Sequence, residues 1–353
     1  MKKFKNFIGT INDEKVYKYT IQSDNNITVS FLNFGGIITE IKTPDKDGNF
    51  ENIVLNFDDL EDYKSNKPYL GAIVGRVAGR IKNSKFMLNG KEYNLEKNDG
   101  NNSLHSGFLG FNKRFWTVNE MLSENGASYI LTYLSEDGEN GYPGNLNMEV
   151  TYTLTKEGEF SIEYRGVSDE DTILNPTNHT YFNLSGNAKR VIKDHILKVN
   201  SDSFIEVNQE LIPTGKILDV KNTPFDFKNF KPVSEGMNSN YDQNIIVGNG
   251  YDHAFILNKN KNDGLYDIAV YDPVSKRELK VNTISKSVVI YTSNSMGDNF
   301  KVNGRNSEKY LGICLETQIE PDAISNPNFS SCILKKGEQF YSKTSFKFDV
   351  KQD

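Results

Sequence analysis

TYTLTKEGEFSIEYR, residues 151–165, decides the fold class. Phe160, Ile162 and Tyr164 alternate with Ser161, Glu163 and Arg165, the period of a strand with one buried face. Thr151–Leu154 precedes them, and Lys156-Glu157-Gly158 supplies turn chemistry between the two runs. The stretch therefore reads as a β-hairpin. The same pattern extends outward. Phe86–Leu95 carries Asn89-Gly90 at its centre, a pair that tolerates the positive φ angles of a tight primed turn. Asp47-Gly48 is expected to join strands over Ile37–Thr43 and Ile53–Phe57. Further strand-like runs are Ser128–Leu134, His195–Val199, His253–Leu257, Asp267–Tyr271, Ser287–Tyr291, Gly312–Glu316 and Ser345–Val350. A long helical stripe is missing, and only short pieces such as Asp58–Tyr63 suit a helical turn.

Composition agrees. The 22 Phe and 18 Tyr suit pleated, half-buried surfaces, and 37% hydrophobic residues in 353 can build a large core. With no βαβ rhythm, the expected fold is all-β, a large antiparallel β-sandwich. No linker composition or internal repeat divides the chain, so one domain over residues 1–353 is expected. A net charge of −6 gives no electrostatic reason to bind nucleic acid or an anionic membrane. MKKFKNFIGTI lacks the apolar run of a secretory signal, and no stretch approaches a transmembrane span. A cytoplasmic protein is expected, with Cys314 and Cys332 as free thiols.

Five segments place polar groups where a plain sheet would not need them. Gly75–Ile81 sets Arg76 and Arg80 among glycines, where an arginine can present its planar fork; two surface arginines on a turn would look the same. Asn101–Gly107 holds His105 in a loop-like setting, which also suits a histidine capping a turn. Asn175–Gly186 surrounds His179 with hydrogen-bonding side chains, as a polar floor or as a histidine paired within a sheet. Asp252 opens a strand after the Gly248–Gly250 turn and could simply close that turn. Glu316 ends the apolar run Leu311–Leu315, where a carboxylate is costly unless paired or employed.

In this order, the five segments resemble the aldose 1-epimerase family, the galactose mutarotases. Asn33–Ile37, Leu211–Gly215 and Thr223–Phe227 extend the likeness over nearly the whole chain, and Asn178–Leu184 and Glu316-Thr317-Gln318 are its most specific pieces. The resemblance implies a galactose mutarotase-like supersandwich. It implies His179 as general acid, Glu316 as general base, and Arg80, His105 and Asp252 as holders of sugar hydroxyls. It implies a free monosaccharide such as galactose or glucose as substrate, no cofactor, no metal, and a monomer or homodimer. Two positions depart from the family pattern. Gly79 stands where Asn is frequent, and 281–292 contains no Gln. Both bear on sugar preference.

The implied chemistry needs one group to take the anomeric hydroxyl proton while another protonates the ring oxygen. His179 is expected to be charged near neutral pH, held so by a carboxylate such as Glu316 or Asp252. Trp116 or Phe255 are candidates to cover the sugar's apolar face. Rival readings are a non-catalytic carbohydrate-binding protein, a glycosidase using Asp252 and Glu316, and a sugar-phosphate epimerase of the same fold. A zinc site of His105, His179 and Glu316 would lack the usual ligand spacing.

Overall fold

The computed structural model describes residues 1–123, 125–259 and 266–352. Three sheets carry the architecture. A nine-stranded antiparallel sheet runs, in spatial order, Thr117–Ser123, Gly126–Ser135, Leu146–Thr155, Phe160–Ser168, Gln339–Val350, Arg277–Thr283, Ile268–Tyr271, Ile196–Val199 and Lys231–Pro232. A five-stranded sheet is formed by the first strands, from Lys2–Ile11 to Phe50–Asn52. A six-stranded sheet orders Tyr181–Phe182, Ile313–Gln318, Ser287–Tyr291, Asp252–Leu257, Ser201–Val207 and Pro213–Asp219. The expected antiparallel β-sandwich is therefore present. Helices are short, and Leu60–Ser65, capped by the Asp59 carboxylate on the Glu61 N–H, covers the expected helical turn.

The hairpin at 151–165 pairs Leu154 with Phe160, and that at 86–95 pairs Leu88 with Lys91 across Asn89-Gly90, both at positive φ. The strand expected over Ile53–Phe57 is displaced. Phe50–Asn52 pairs with Lys42–Pro44 instead. The cause is Asn52, whose side-chain oxygen accepts from the N–H groups of both Ile41 and Val54 and ends the ladder. The chain then leaves to meet the other sheet, with the Leu55 N–H donating to the Tyr181 carbonyl.

One continuous core joins the three sheets. Phe31 meets Tyr152 edge-on at 4.9 Å between the five- and nine-stranded sheets, and Phe182 meets Phe346 at 5.8 Å between the six- and nine-stranded sheets. Strand alternation then sorts the six-stranded sheet into two faces. His253, Phe255, Val288, Ile290, Ile313 and Leu315 are buried on the core side. Asp252, Ala254, Val289, Tyr291 and Glu316 line a cavity on the other. Losing the fully buried Phe255 side chain would cost about 3–5 kcal/mol. Among the described residues, no helix is long and apolar enough to cross a membrane. Cys314 and Cys332 are buried and unbridged.

Candidate active site

The cavity of about 570 Å³ opens on that outer face, and all five expected residues line it: Arg80, His105, His179, Asp252 and Glu316. Each is placed by a short local device. Gly79 and His105 exchange hydrogen bonds: the His105 N–H donates to the Gly79 carbonyl at 2.9 Å, and the Gly79 N–H donates to His105 Nδ1 at 3.1 Å. Beside them Arg80 pairs in register with Leu104. This two-residue ladder couples the first two segments. Arg80 is further held by Asp99, its Nε donating to Oδ2 at 2.7 Å. Arg76, from the same turn, is buried and serves the fold instead. Its guanidinium donates to Ser135 Oγ and to the carbonyls of Ser135, Glu136, Pro143 and Gly144.

His179 lies in an irregular passage between the bridges Thr177–Asn178 and Tyr181–Phe182. Its backbone is clamped by the chain at 71–72: His179 N–H donates to the Ala72 carbonyl at 2.9 Å, and Gly71 N–H to the His179 carbonyl at 3.0 Å. Gly71 is required there, because φ is +67° and a Cβ would lie 2.1 Å from the Ile38 carbonyl oxygen. Glu316 stands within Ile313–Gln318, opposite Val289, and Asp252 begins its strand opposite Tyr291. Asp252 is thus inside the sheet and not merely closing a turn.

The central contact is His179 Nε2 to Glu316 Oε1, 3.5 Å apart, with both side chains about 5% exposed or slightly more (6% and 5%). On the other side of the ring, Nδ1 lies 3.5 Å from Cys314 Sγ. Tyr69 completes the surround, edge-on to His105 at 4.6 Å and stacked with His179 at 6.0 Å.

Burial governs the charges. It moves His179 down to about 4, where the expectation was an imidazolium near neutral pH. It pushes the Glu316 carboxyl well above its usual range, with Asp252 adding to the rise and Arg80 opposing it. The Asp252 carboxyl is raised by burial too, with Arg80 again opposing. A nearby carboxylate does not rescue the imidazolium because that carboxyl is itself desolvated. Burial thus favours the neutral form of both groups. Ion pair and neutral pair hold the same number of protons and differ only in which atom carries it.

His105, His179 and Glu316 each bring a ligand-type atom within 4.8 Å of the others, a cluster that their sequence spacing does not show. The hydrogen bonds count against a metal there. Nδ1 of His105 accepts from Gly79, so the neutral ring carries its hydrogen on Nε2 and faces outward as a donor.

Two aromatic expectations fail. Trp116 and Phe255 are core residues, 2% and 0% exposed. Trp116 packs edge-on against Phe111 and donates to its carbonyl, and Phe255 has the opposite strand parity from Asp252. The cavity's aromatics are Tyr69, Tyr181, Tyr291 and Phe300. Tyr291 could have been found by alternation within Ser287–Tyr291, whereas Tyr69 carries no signal beyond the Pro68-Tyr69 turn. In the stretch without Gln, Val289 and Tyr291 face the cavity. At Gly79, φ is +77° and a Cβ would meet Pro321 at 2.9 Å, so an Asn would require Pro321 to shift.

Comparison with known proteins agrees with this geometry. A family model described as aldose 1-epimerase matches residues 17–347. The chain is 41% identical to a galactose mutarotase of Bos taurus, over 95% of this chain and 94% of that protein. It is 38% identical to an aldose 1-epimerase of Haemophilus influenzae, over 93% and 94%. Its fold superimposes on the crystal structure of a galactose 1-epimerase from Lactobacillus acidophilus with a TM-score of 0.88 at 29% identity, covering 99% of both chains. From the ordered segments, the six-stranded sheet with its polar outer face and these likenesses, the chain belongs to the aldose 1-epimerase family.

Proposed function

We propose that this protein is an aldose 1-epimerase that interconverts the α and β anomers of a free hexose such as galactose or glucose, with His179 and Glu316 as its acid–base pair. The observation that carries the proposal is the 3.5 Å contact between Nε2 and Oε1 at the wall of a sugar-sized cavity. A binding module would gain nothing from burying two titratable groups against each other, which costs stability.

The chemistry needs only the proton already in the pair. Sugar hydroxyls donating to the Glu316 carboxylate favour its ionised form, and the proton moves to His179 Nε2. Glu316 then takes the proton of the anomeric hydroxyl as the C1–O5 bond breaks and C1 becomes a carbonyl carbon. His179 gives its proton to O5 in the same step. Rotation about C1–C2 presents the other carbonyl face. The protons return as O5 attacks, and the opposite anomer forms. Arg80, His105 and Asp252 hold hydroxyls, with His105 donating through Nε2. Among the described residues, the cations lining the cavity are Lys67 and Arg80, matched by Asp252 and Asp298, a balance that disfavours a sugar phosphate. We read the residues from 67 to 321 that build this cavity as one functional unit.

The test is polarimetry of freshly dissolved α-galactose and α-glucose in buffer containing EDTA. The optical rotation should approach equilibrium at a rate proportional to protein concentration and insensitive to the chelator. No acceleration for either sugar, or activity abolished by EDTA and restored by zinc, would overturn the proposal.

A further inference from the structure

Arg80 lines the cavity, yet one of its donors is used away from it. Nε donates to Asp99 Oδ2 at 2.7 Å, and among the described residues no acceptor is bonded to Nη1 or Nη2, which leaves both for a ligand. Asp99 is not part of the cavity wall, and its side chain is 38% exposed. An ion pair so exposed contributes little to stability. Its backbone is nevertheless fixed on both sides. The neighbouring Asn98 side chain bonds both backbone groups of Leu104, donating to the carbonyl at 2.9 Å and accepting from the N–H at 2.7 Å. Asp99 and Asn102 exchange backbone hydrogen bonds at 2.9 and 3.1 Å across a turn in which Gly100 has a φ of +62°. Leu104 is the ladder partner of Arg80, so one short turn sets the carboxylate and the guanidinium in register. The Asp99 charge also reaches the cavity. Burial raises the Asp252 carboxyl, Arg80 opposes the rise and Asp99 adds to it.

We propose that Asp99 is a positioning residue that sets the site's preference for neutral over anionic sugars: it anchors Arg80 through Nε and offsets its charge. This inference rests on the reading of the cavity as a sugar site and deepens it. A guanidinium held at Nε can offer its Nη hydrogens to sugar hydroxyls in one fixed plane. Without a counter-charge the same group would be a ready receptor for a carboxylate or phosphate, which it binds through two parallel hydrogen bonds. An anionic substituent brought to Arg80 meets the field of Asp99 as well, and the repulsion cancels much of the attraction. A neutral hydroxyl accepts the same Nη hydrogens without that repulsion.

The experiment has two readouts. Calorimetric titrations with galactose and with galacturonate, the same sugar with a carboxylate at C6, give the ratio of the two dissociation constants without requiring turnover. Wild type should prefer galactose. Asp99→Asn keeps an acceptor for Nε and loses only the charge, so its preference should fall about fivefold or more at about pH 7.5, and the fall should shrink in about 1 M NaCl. Asp99→Ala should show the same loss of preference and also raise KM for galactose about fivefold with kcat within about twofold, and Asp99→Asn should recover most of that KM. Three results would each overturn the proposal: wild type binding galacturonate as tightly as galactose, a folded Asp99→Asn with an unchanged ratio, or a folded Asp99→Ala with wild-type KM. If Asp99→Ala does not fold, wild type and Asp99→Asn still decide. Galactose bound but not turned over would instead fault the acid–base reading and leave the ratios to decide on Asp99, and binding of neither sugar would overturn both.

Discussion

Glu316 is 4% exposed on a strand whose neighbours Ile313 and Leu315 are core, and its carboxyl is held well above its usual range by burial and Asp252. This has a consequence for stability. The unfolded chain ionises this group above about 4.3, while burial in the folded protein moves its ionisation upward. Its contribution is therefore fully present below that value and is lost as pH rises toward the raised folded value. Glu316→Gln removes the loss. Thermal melts should show the variant gaining on wild type between pH 4.5 and pH 8, and a constant difference would contradict the assignment. The residue types of the site were legible in the sequence, through Glu316 at the end of an apolar run and His179 in a polar passage. Their protonation was not, because desolvation depends on neighbours brought from four different strands and loops.

Short elements position the catalytic candidates, and their strength lies in backbone geometry. Gly71→Ala would place a methyl group against the Ile38 carbonyl at a φ of +67° and loosen the clamp on His179. A loss of about 1–3 kcal/mol is expected, with a fall in kcat larger than any change in KM. Urea unfolding and initial rates test both parts, and wild-type values for both would show that the clamp is not needed. At this scale the sequence was a good guide wherever periodicity governs. The hairpins at 86–95 and 151–165 and the strand Ser287–Tyr291 appear as expected. It was a poor guide where a side chain interrupts a ladder, as Asn52 does before 53–57. Phe255 was expected at the cavity although strand parity sets it on the opposite face from Asp252, and that one-residue difference separates the core from the cavity.

Across the whole molecule, the cavity wall must stay fixed relative to the nine-stranded sheet, and Arg76 is a principal tie. It carries the Gly75–Ile81 segment on one side and bonds to Ser135, at the end of a nine-stranded-sheet strand, on the other. Burial lowers its guanidinium to about 10, with the nearby Glu139 opposing the fall. Arg76→Met should cost more than about 3 kcal/mol in urea unfolding with KM for galactose little changed, because several buried acceptors lose their donor together. A wild-type unfolding midpoint would show that water replaces the arginine. Such long-range ties cannot be read from one sequence: Arg76 and Arg80 look alike there, and only the fold turns one inward to carbonyls and the other to the cavity. The central claim, that His179 and Glu316 act as one proton-transfer unit, is tested most directly by polarimetric initial rates over a range of galactose concentrations. Glu316→Gln and His179→Asn are each expected to lower kcat about 10²-fold or more, and the double variant to be far less than multiplicatively worse. Asp252→Asn should mainly raise KM. Near-wild-type turnover in Glu316→Gln would contradict the account, whatever the fold.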